Sequence, residues 1–589
     1  MKKYIKRFIA MLLAALMFLL SMQTTAVAKN DNDPQPGKNE FRCDWFDETI
    51  IYPYEYSDNY FIGNAYDYHH DLALFSLCVS MASFGSFDLE NPDKNIKMML
   101  EECGYDFTSY GYDTEGYDTV GLALGTKKLE LDGEPTTIII AAIRSGNYGM
   151  EWGGNLRVGT GENHEGFDIS KQTALVYFND FCKNLEPYGT VKLLVPGYSR
   201  GSSIANLFAA ELVDGSYVDS IGNETDYIRN AGFTNENLYA YLYETPQATG
   251  DVNAGDELYH NIFNINNPSD YVPMFVMDNF NFRAYGRTLY LPSASRVGNY
   301  SEFYNSAIEE FDLFMAHTGK ESKDFFYNEE DSLSCELIFK KIFSYLATEV
   351  MVDRETYVDR YENSLIFFTG QYLGKKRTVK DLAGTVGKMV LATAVSLIPS
   401  NYEKIKTEGY NSYLADYVVK KTEGTELTQN DVEGFIDLFV EVLDLIKYHR
   451  KEIPTLLSQI NTVINVHQPY VTMTWVRILD EETMLAINSD SGDELRLSWN
   501  NIKLKYNSSG KLNTDFDVEG GYVIWTSDNE EIASVDEDGT VYANSKGTAT
   551  LTATLYSPDG EVLDEAFATV SVEMNAIQVI IHKIKNVFA

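Results

Sequence analysis

Hydrophobic and polar residues follow different periods in different parts of the chain, and the changes of period divide it. Up to about residue 300, short aliphatic runs are separated by stretches that have apolar residues at helical spacing. The clearest run, residues 136–143, has the composition of a strand buried on both faces. Further strands are predicted at 238–243 and 262–266, and a helix at 71–84. Strands that alternate with helices indicate an α/β fold with a mainly parallel sheet.

The chain from about residue 300 to residue 460 has a helical pattern. Residues 435–446 place their apolar side chains on one helical face. Residues 380–399 are apolar but include charged residues and many glycines and alanines, which favours a buried helix over a membrane span. We therefore expect a large helical insertion at about 300–460, within a domain that covers residues 41–485.

After about residue 490 the period of the pattern changes to two. Short alternating strands are predicted at 522–529, 532–536, 539–542 and 547–555, with Asn, Asp and Gly turns between them. The order Trp-x-Ser-x-Asn, Ala-x-Val-Asp, Gly-x-Val and Gly-Thr-Ala closely resembles a bacterial Ig-like domain of group 2. The resemblance implies a small all-β sandwich at 495–574, followed by a tail at 575–589. It also implies a spacer or attachment module, through which we expect contact with a cell surface or a glycan.

The amino terminus has the pattern of a secretory signal peptide. Four basic residues precede an apolar run at residues 8–20, and Ala26-Val27-Ala28 forms a small-x-small cleavage site, so residues 1–28 are predicted to be removed. Residues 29–40 are polar and turn-rich, which predicts a disordered leader. We expect a bacterial protein that is secreted or associated with the cell surface.

Charge and cysteine content narrow the choice of partners and cofactors. A formal net charge of −40 opposes binding to nucleic acid. Five scattered cysteines predict one incidental disulfide at most. His69-His70-Asp71 lacks the i, i+4 histidine spacing of a metal site, and a helix start is the favoured interpretation. Nothing in the sequence indicates a metal or an organic cofactor.

The segment Gly197-Tyr198-Ser199-Arg200-Gly201 carries the strongest chemical signal. It follows an apolar run, and apolar residues at helical spacing come directly after it. A glycine two residues before the serine and another two residues after it allow a sharp turn from strand to helix, where a Cβ atom would clash. The pattern predicts a nucleophile elbow that exposes the hydroxyl of Ser199.

A serine nucleophile needs a base and an acid, and in this fold the acid comes next along the chain. Asp270 lies where a predicted strand runs into a turn, in the sequence Asn267-Pro-Ser-Asp270-Tyr-Val-Pro273. An Asp at that place is a candidate for the acid, although, taken alone, an Asp before Tyr-Val-Pro is more often a simple turn residue.

Five elements between residues 136 and 280 together resemble the class 3, fungal-type lipase family of α/β hydrolases. They occur in the family's order and are Arg144-Ser145-Gly146 with Glu151-Trp152-Gly-Gly-Asn155-Leu156, His164-Glu-Gly-Phe167, the serine elbow, Tyr243-Glu244-Thr245-Pro246-Gln247, and Asn267 to Pro273. The resemblance implies an α/β-hydrolase fold and supports Asp270 as the acid. It also implies that His164 braces a loop, because His164 precedes the nucleophile.

Two departures from the family pattern concern the oxyanion site. Arg200 replaces the usual leucine after the serine, so the resemblance implies a backbone N–H donor there with a different side chain. Arg-Ser-Gly replaces Arg-Gly-Thr, and Ser145 is the candidate substitute for the missing threonine hydroxyl.

Four histidines follow Asp270 and are candidates for the base. His582 lies beyond the Ig-like domain, and His449 continues an apolar helical face. His317 lies within helical periodicity, at a more usual interval after the acid. His467 precedes Pro469, begins an irregular segment after a helix whose end Pro469 helps to define, and is followed by aromatic residues similar to those of lipase-like bacterial relatives. We favour His467 and keep His317 as the alternative.

Two functions fit these residues. The first is a secreted serine ester hydrolase of the lipase or esterase type, with Ser199, Asp270 and His467 as its triad, an acyl-enzyme intermediate, and a lipid or other small-molecule ester as substrate. The second is a surface binding protein that keeps an inactive hydrolase scaffold beside an Ig-like module. The candidate triad favours the first, and the altered Arg-Ser-Gly element favours the second.

Overall fold

The computed structural model describes two compact units. It covers residues 35–45, 48–114, 116–145 and 150–273 continuously, and 280–332, 354–366 and 459–574 with short gaps. The described residues up to Glu481 belong to the first unit, and those from Glu482 onward belong to the second. The predicted signal peptide, most of the leader, the helices at 380–399 and 435–446 and the tail at 575–589 lie outside the described residues.

A seven-stranded sheet forms the centre of the first unit. A hairpin of β1 (Glu40–Trp45) and β2 (Glu48–Pro53) precedes it. The sheet has the spatial order β3-β4-β5-β6-β7-β8-β9, in which β5 to β9 are parallel and β3 and β4 add an antiparallel edge. Its strands are β3 (Asp106–Tyr110), β4 (Leu122–Leu131), β5 (Glu134–Ile143), β6 (Thr190–Tyr198), β7 (Phe233–Tyr243), β8 (Ile262–Asn266) and β9 (Arg287–Tyr290).

Helices of the first unit cover the sheet and connect its parallel strands, and one more helix begins at Glu481 and lies mainly in the second unit. They are α1 (His70–Ala82), α2 (Lys94–Glu102), α3 (Glu165–Cys182), α4 (Arg200–Asp214), α5 (Tyr217–Ile221), α6 (Tyr300–Met315), α7 (Arg354–Tyr357), α8 (Ile460–Asn465), α9 (Pro469–Arg477) and α10 (Glu481–Ser489). Short 3-10 helices lie at Asp58–Phe61, Met150–Leu156, Ile228–Ala231, Glu257–Tyr259 and Ser322–Asp324, and a π-helical turn lies at Val358–Glu362. No helix in these described ranges is both long enough and apolar enough to cross a bilayer.

The two faces of the sheet are buried against different helices, because successive side chains of a strand point to opposite faces. On one face, aliphatic residues of β5, β6 and β7 form a single core with α3 and α4. On the other face, the hydroxyl of Tyr243 donates to the carbonyl of Ala73 in α1, and the hydroxyl of Tyr241 accepts from the backbone N–H of His69. Burial on both faces explains why the central strands have unbroken apolar sequences.

The predicted α/β fold with a mainly parallel sheet is confirmed. The predicted strands lie within β5, β7 and β8, and the predicted helix at 71–84 is α1. Sequence patterns did not reveal β3 or the hairpin of β1 and β2. The side chains of β3 are partly or fully exposed, so it has no clear apolar period.

Within the second unit, the described residues from 495 to 574 form an all-β sandwich, as their period of two predicted. Its strands are β10 (Arg496–Leu497), β11 (Asn501–Lys505), β12 (Ser509–Lys511), β13 (Thr514–Asp515), β14 (Tyr522–Ser527), β15 (Ala533–Val535), β16 (Thr540–Ala543), β17 (Gly547–Tyr556) and β18 (Val562–Glu573). A four-stranded sheet has the order β11-β18-β17-β14, and a three-stranded sheet has the order β12-β16-β15. Buried aliphatic residues from both sheets form one core.

Candidate active site

Ser199 occupies a strained turn between β6 and α4. Its φ of 52° and ψ of −127° lie in a region that side chains other than glycine rarely adopt, and such strain is typical of functional sites. The flanking glycines are required by close contacts. A Cβ atom on Gly197 would lie 2.8 Å from the Cα of Ser202, and one on Gly201 would lie 2.9 Å from the carbonyl oxygen of Ile143. The sequence therefore forms a sharp elbow with Ser199 at its apex.

His467 lies in the short connection between α8 and α9, and its ring reaches the elbow. The Nε2 atom of His467 is 2.8 Å from the Oγ atom of Ser199. Pro469 is the first residue of α9, a position that suits a residue without a backbone N–H. We expected Pro469 to help end the preceding helix; in the structure it begins the following one.

Asp270 follows β8 and contacts the other side of the same imidazole ring. The Nδ1 atom of His467 and the Oδ2 atom of Asp270 form a hydrogen bond, and Oδ1 accepts from the N–H of Val272 at 2.9 Å. Asp270 is thus both the turn residue and the partner of the histidine. Because Nδ1 donates to the carboxylate, Nε2 is left with a lone pair that can accept the proton of Ser199.

The three side chains are almost completely buried. Ser199 is 5%, His467 is 4% and Asp270 is 0% exposed. Burial lowers the local dielectric constant and strengthens the attraction between the Asp270 carboxylate and any positive charge on the ring. The arrangement can therefore stabilise an imidazolium ion that forms when Ser199 loses its proton.

Of the two candidate oxyanion residues, Arg200 is part of the elbow and Ser145 lies next to it. Arg200 is the first residue of α4, and its guanidinium is buried, donating to the carbonyl of Thr119 at 3.2 Å and to the Ser170 hydroxyl at 3.0 Å. Ser145 is the second residue after β5, and a Cβ atom on Gly201 would lie 3.1 Å from its Cβ. The Ser145 hydroxyl is buried and has no hydrogen-bond partner within the described part of the chain. It is therefore available as a donor.

His164 braces a neighbouring loop, as expected from its place before the nucleophile. Its Nε2–H donates to the carbonyl of Asn155 at 3.2 Å, and its ring stacks on Phe167 with centroids 4.0 Å apart. Complete burial lowers the pKa of His164 to about 3, so the ring is neutral at ordinary pH.

A second buried carboxyl, Glu244, lies beside the candidate acid and was missed by the sequence analysis. It accepts hydrogen bonds from the Thr472 hydroxyl at 2.8 Å and from the N–H of Asn267 at 2.9 Å. Nothing local in the sequence marks Glu244, because these partners lie 228 and 23 positions away along the chain.

The other candidate bases, His317, His449 and His582, lie outside the described residues. Within the described ranges, no group of three or more His, Cys, Asp or Glu side chains has the arrangement of a metal site. The cysteines of those ranges, Cys43, Cys78, Cys103 and Cys182, are buried free thiols.

The comparisons with known proteins give different results for the two ends of the chain. Residues 504–575 match the bacterial Ig-like domain, group 2. No curated protein matches the chain. Among solved structures, a fungal lipase in complex with an inhibitor is 20% identical, with a TM-score of 0.25 over 39% of this chain and 79% of its own.

Two further solved structures are similar to the same extent. Rhizomucor miehei triacylglyceride lipase is 17% identical, with a TM-score of 0.26 over 38% of this chain and 80% of its own. A lipase from Rhizopus microsporus var. chinensis is 15% identical, with a TM-score of 0.26 over 37% of this chain and 72% of its own. Identities and TM-scores this low support no conclusion about function. The function proposed below depends instead on the side chains around Ser199.

Proposed function

We propose that the first unit is a serine carboxylic ester hydrolase. The observation that carries this proposal is the continuous hydrogen-bond chain from the Ser199 hydroxyl through His467 to Asp270. Each member has the chemistry that its position requires. Ser199 is a nucleophile at a strained elbow, His467 is a base whose free lone pair points to the serine hydroxyl, and Asp270 is a buried carboxylate bonded to the other ring nitrogen.

The reaction follows from this geometry. His467 Nε2 takes the proton of Ser199 as Oγ attacks the ester carbonyl, and Asp270 stabilises the resulting imidazolium ion. The N–H of Arg200 and a donor of Ser145 would hold the negative oxygen of the tetrahedral intermediate. Nε2 then protonates the departing alcohol, which leaves an acyl group on Ser199. Water, activated by the same nitrogen, releases the acid and restores the hydroxyl.

We propose an acyl ester of lipid type as the substrate. Aromatic side chains of α6 and α9 pack together next to the base, with ring centroids 6.2 Å apart for Phe311 and Tyr470 and 6.1 Å apart for Tyr300 and Trp475. All four rings are buried, and an apolar framework of this kind in the elements around the base would suit an acyl chain better than a small polar group. Hydrolysis rates for p-nitrophenyl esters from acetate to palmitate test this preference.

We propose that the protein is exported and that the Ig-like unit attaches it to a surface or a glycan. The amino-terminal pattern of basic residues, apolar run and Ala-Val-Ala supports export. Amino-terminal sequencing of protein from the culture medium tests cleavage after Ala28.

Labelling with a fluorophosphonate probe tests the central proposal. The wild-type protein should form a covalent adduct at Ser199, and Ser199→Ala should form none. Ser301→Ala, which changes an exposed serine, is the matched control and should label normally. A wild-type protein that is folded but neither labels nor hydrolyses esters would favour the alternative, a binding protein on an inactive hydrolase scaffold.

A further inference from the structure

Glu244 is held at the end of β7, where three parts of the candidate site meet. Its backbone N–H donates to Ile265 at 3.1 Å, and the preceding carbonyl, of Tyr243, accepts from the N–H of Ser199 at 2.8 Å. Its carboxyl oxygens accept from Thr472 on α9 and from Asn267 before Asp270. One side chain thus connects the loop of the acid to the helix that follows the base.

The backbone of Glu244 is in a conformation that favours glycine. Its φ is 48°, which is costly for a residue with a side chain. The side chain is completely buried, although a carboxyl group is seldom buried without a role. A glycine would adopt this φ without strain, so the glutamate occupies the position despite two costs, the backbone strain and the burial of its carboxyl group.

Asn267 ties Glu244 and Asp270 together: its N–H donates to the Glu244 carboxyl at 2.9 Å, its carbonyl accepts from the N–H of Asp270 at 2.9 Å, and both acidic residues are buried. Two ionised carboxylates in such a place would repel each other, so one of them holds a proton. Burial and the charge of Asp270 raise the pKa of Glu244 well above its usual value. The Asp270 carboxyl contacts the imidazole of His467, whereas the Glu244 carboxyl contacts the neutral hydroxyl of Thr472 and the N–H of Asn267.

We propose that Glu244 is a positioning residue: as a neutral carboxylic acid it donates a hydrogen bond to the Asp270 carboxylate and fixes Asp270 relative to His467. Asp270 has room for this bond, because each of its oxygens has two lone pairs and accepts one other hydrogen bond. The inference rests on the proposed function, since it assigns Asp270 the role of orienting the base.

Two substitutions separate the hydrogen bond from the charge. Glu244→Gln keeps a donor towards Asp270 and is neutral, and the Thr472 hydroxyl can rotate to accept from the amide. We expect kcat within about threefold of wild type and an unchanged acid limb of the pH–rate profile. Glu244→Gly removes the donor and suits the positive φ. We expect it to lower kcat by about tenfold to a hundredfold, with KM nearly unchanged.

The matched control is Asp132→Gly. Asp132 has a φ of 51° in the exposed turn between β4 and β5, so its replacement relieves similar backbone strain away from the site. Its kcat should equal that of wild type. Activity of Glu244→Gly within threefold of wild type would overturn the positioning role. An acid limb that moves to lower pH in Glu244→Gln would show that Glu244 is ionised, because the substitution would then remove a negative charge near the imidazole.

Infrared difference spectroscopy of wild type against Glu244→Gln gives a readout that needs no substrate. The wild-type protein at neutral pH should show the C=O stretch of a protonated carboxylic acid, sensitive to D₂O, which the variant lacks. Absence of that band overturns the proposal. Ser199→Ala keeps the two failures distinct: hydrolysis that persists in Ser199→Ala refutes the triad, whereas an inert Ser199→Ala beside a fully active Glu244→Gly refutes only the role of Glu244.

Discussion

The hydroxyl of Tyr198 donates a hydrogen bond of 2.9 Å to the backbone carbonyl of His467. Tyr198 immediately precedes the nucleophile, and its ring centroid lies 5.5 Å from that of the imidazole. The same hydroxyl is 3.3 Å from the Thr472 hydroxyl on α9. The strand that carries Ser199 therefore fixes the connection that carries the base.

Replacement of Tyr198 by phenylalanine should weaken this connection without opening a cavity. We expect kcat to fall by about threefold to tenfold and the free energy of unfolding to fall by about 1 kcal/mol, since one buried hydrogen bond is lost. Ester hydrolysis and urea unfolding measure the two effects. Tyr188→Phe, at a half-exposed tyrosine, is the control and should change neither. Unchanged kcat in Tyr198→Phe would show that the base needs no support from β6.

Replacement of Ser199 by alanine should abolish hydrolysis and preserve the fold. The elbow's strain lies in the backbone, and the smaller side chain fits the same space. Loss of a triad nucleophile lowers the rate by about 10⁴-fold to 10⁶-fold. Circular dichroism checks the fold, and hydrolysis of a short p-nitrophenyl ester checks the rate. A rate within tenfold of wild type would eliminate the mechanism.

Replacement of His467 by alanine should lower the rate nearly as much as Ser199→Ala. The double variant should lose little more, because members of a triad act as a unit and their effects are not additive. His317→Ala should leave turnover almost unchanged. The reverse result, with His317→Ala inert and His467→Ala active, would transfer the role of base to His317.

Stability should depend on pH through His164. Its folded-state pKa of about 3 lies below the usual 6.5, so the unfolded chain binds the additional proton as the pH falls through this interval. The stability contribution is therefore complete above pH 6.5 and decreases towards pH 3. Between pH 7 and pH 5 the loss from this residue is about 2 kcal/mol.

His164→Gln should remove that part of the pH dependence, because the amide does not titrate and can still donate to Asn155. Urea unfolding of wild type and variant at both pH values gives the difference. His260→Gln, at a partly exposed histidine, serves as the comparison. Equal acid sensitivity in His164→Gln and wild type would show that His164 is accessible to protons in the folded state.

The Ig-like unit should be dispensable for chemistry. Its strands and core are self-contained, and none of the residues of the proposed triad lies in it. A chain that ends near Asp490 should hydrolyse a soluble ester within about twofold of the full-length rate. A folded truncation that loses most of its activity would show that the second unit completes the site.

Local motifs in the sequence are sufficient to identify Ser199, Asp270 and His467 as candidates. Gly197 and Gly201 mark the elbow because only glycine fits there, and this requirement is visible in five consecutive residues. Their catalytic roles remain predictions, although the structure brings the three side chains together.

Tyr198, Glu244 and Thr472 could not be identified in the same way. Their hydrogen bonds join residues more than 200 positions apart, and neither apolar period nor local motif reports such contacts. The half-exposed strand β3 escaped prediction for a related reason, since a strand at the sheet edge has no unbroken apolar face.

The proposed acid and base are 197 positions apart, and the base enters the site only with α8 and α9. A ribosome therefore synthesises the nucleophile and the acid long before the histidine that activates them. A nascent chain that has passed Gly201, or a chain cut between Gly201 and His467, has a serine elbow but no base. If Ser199, Asp270 and His467 act as proposed, completion of the first unit is itself the step that switches hydrolysis on, and partial chains inside the producing cell are inert towards its esters.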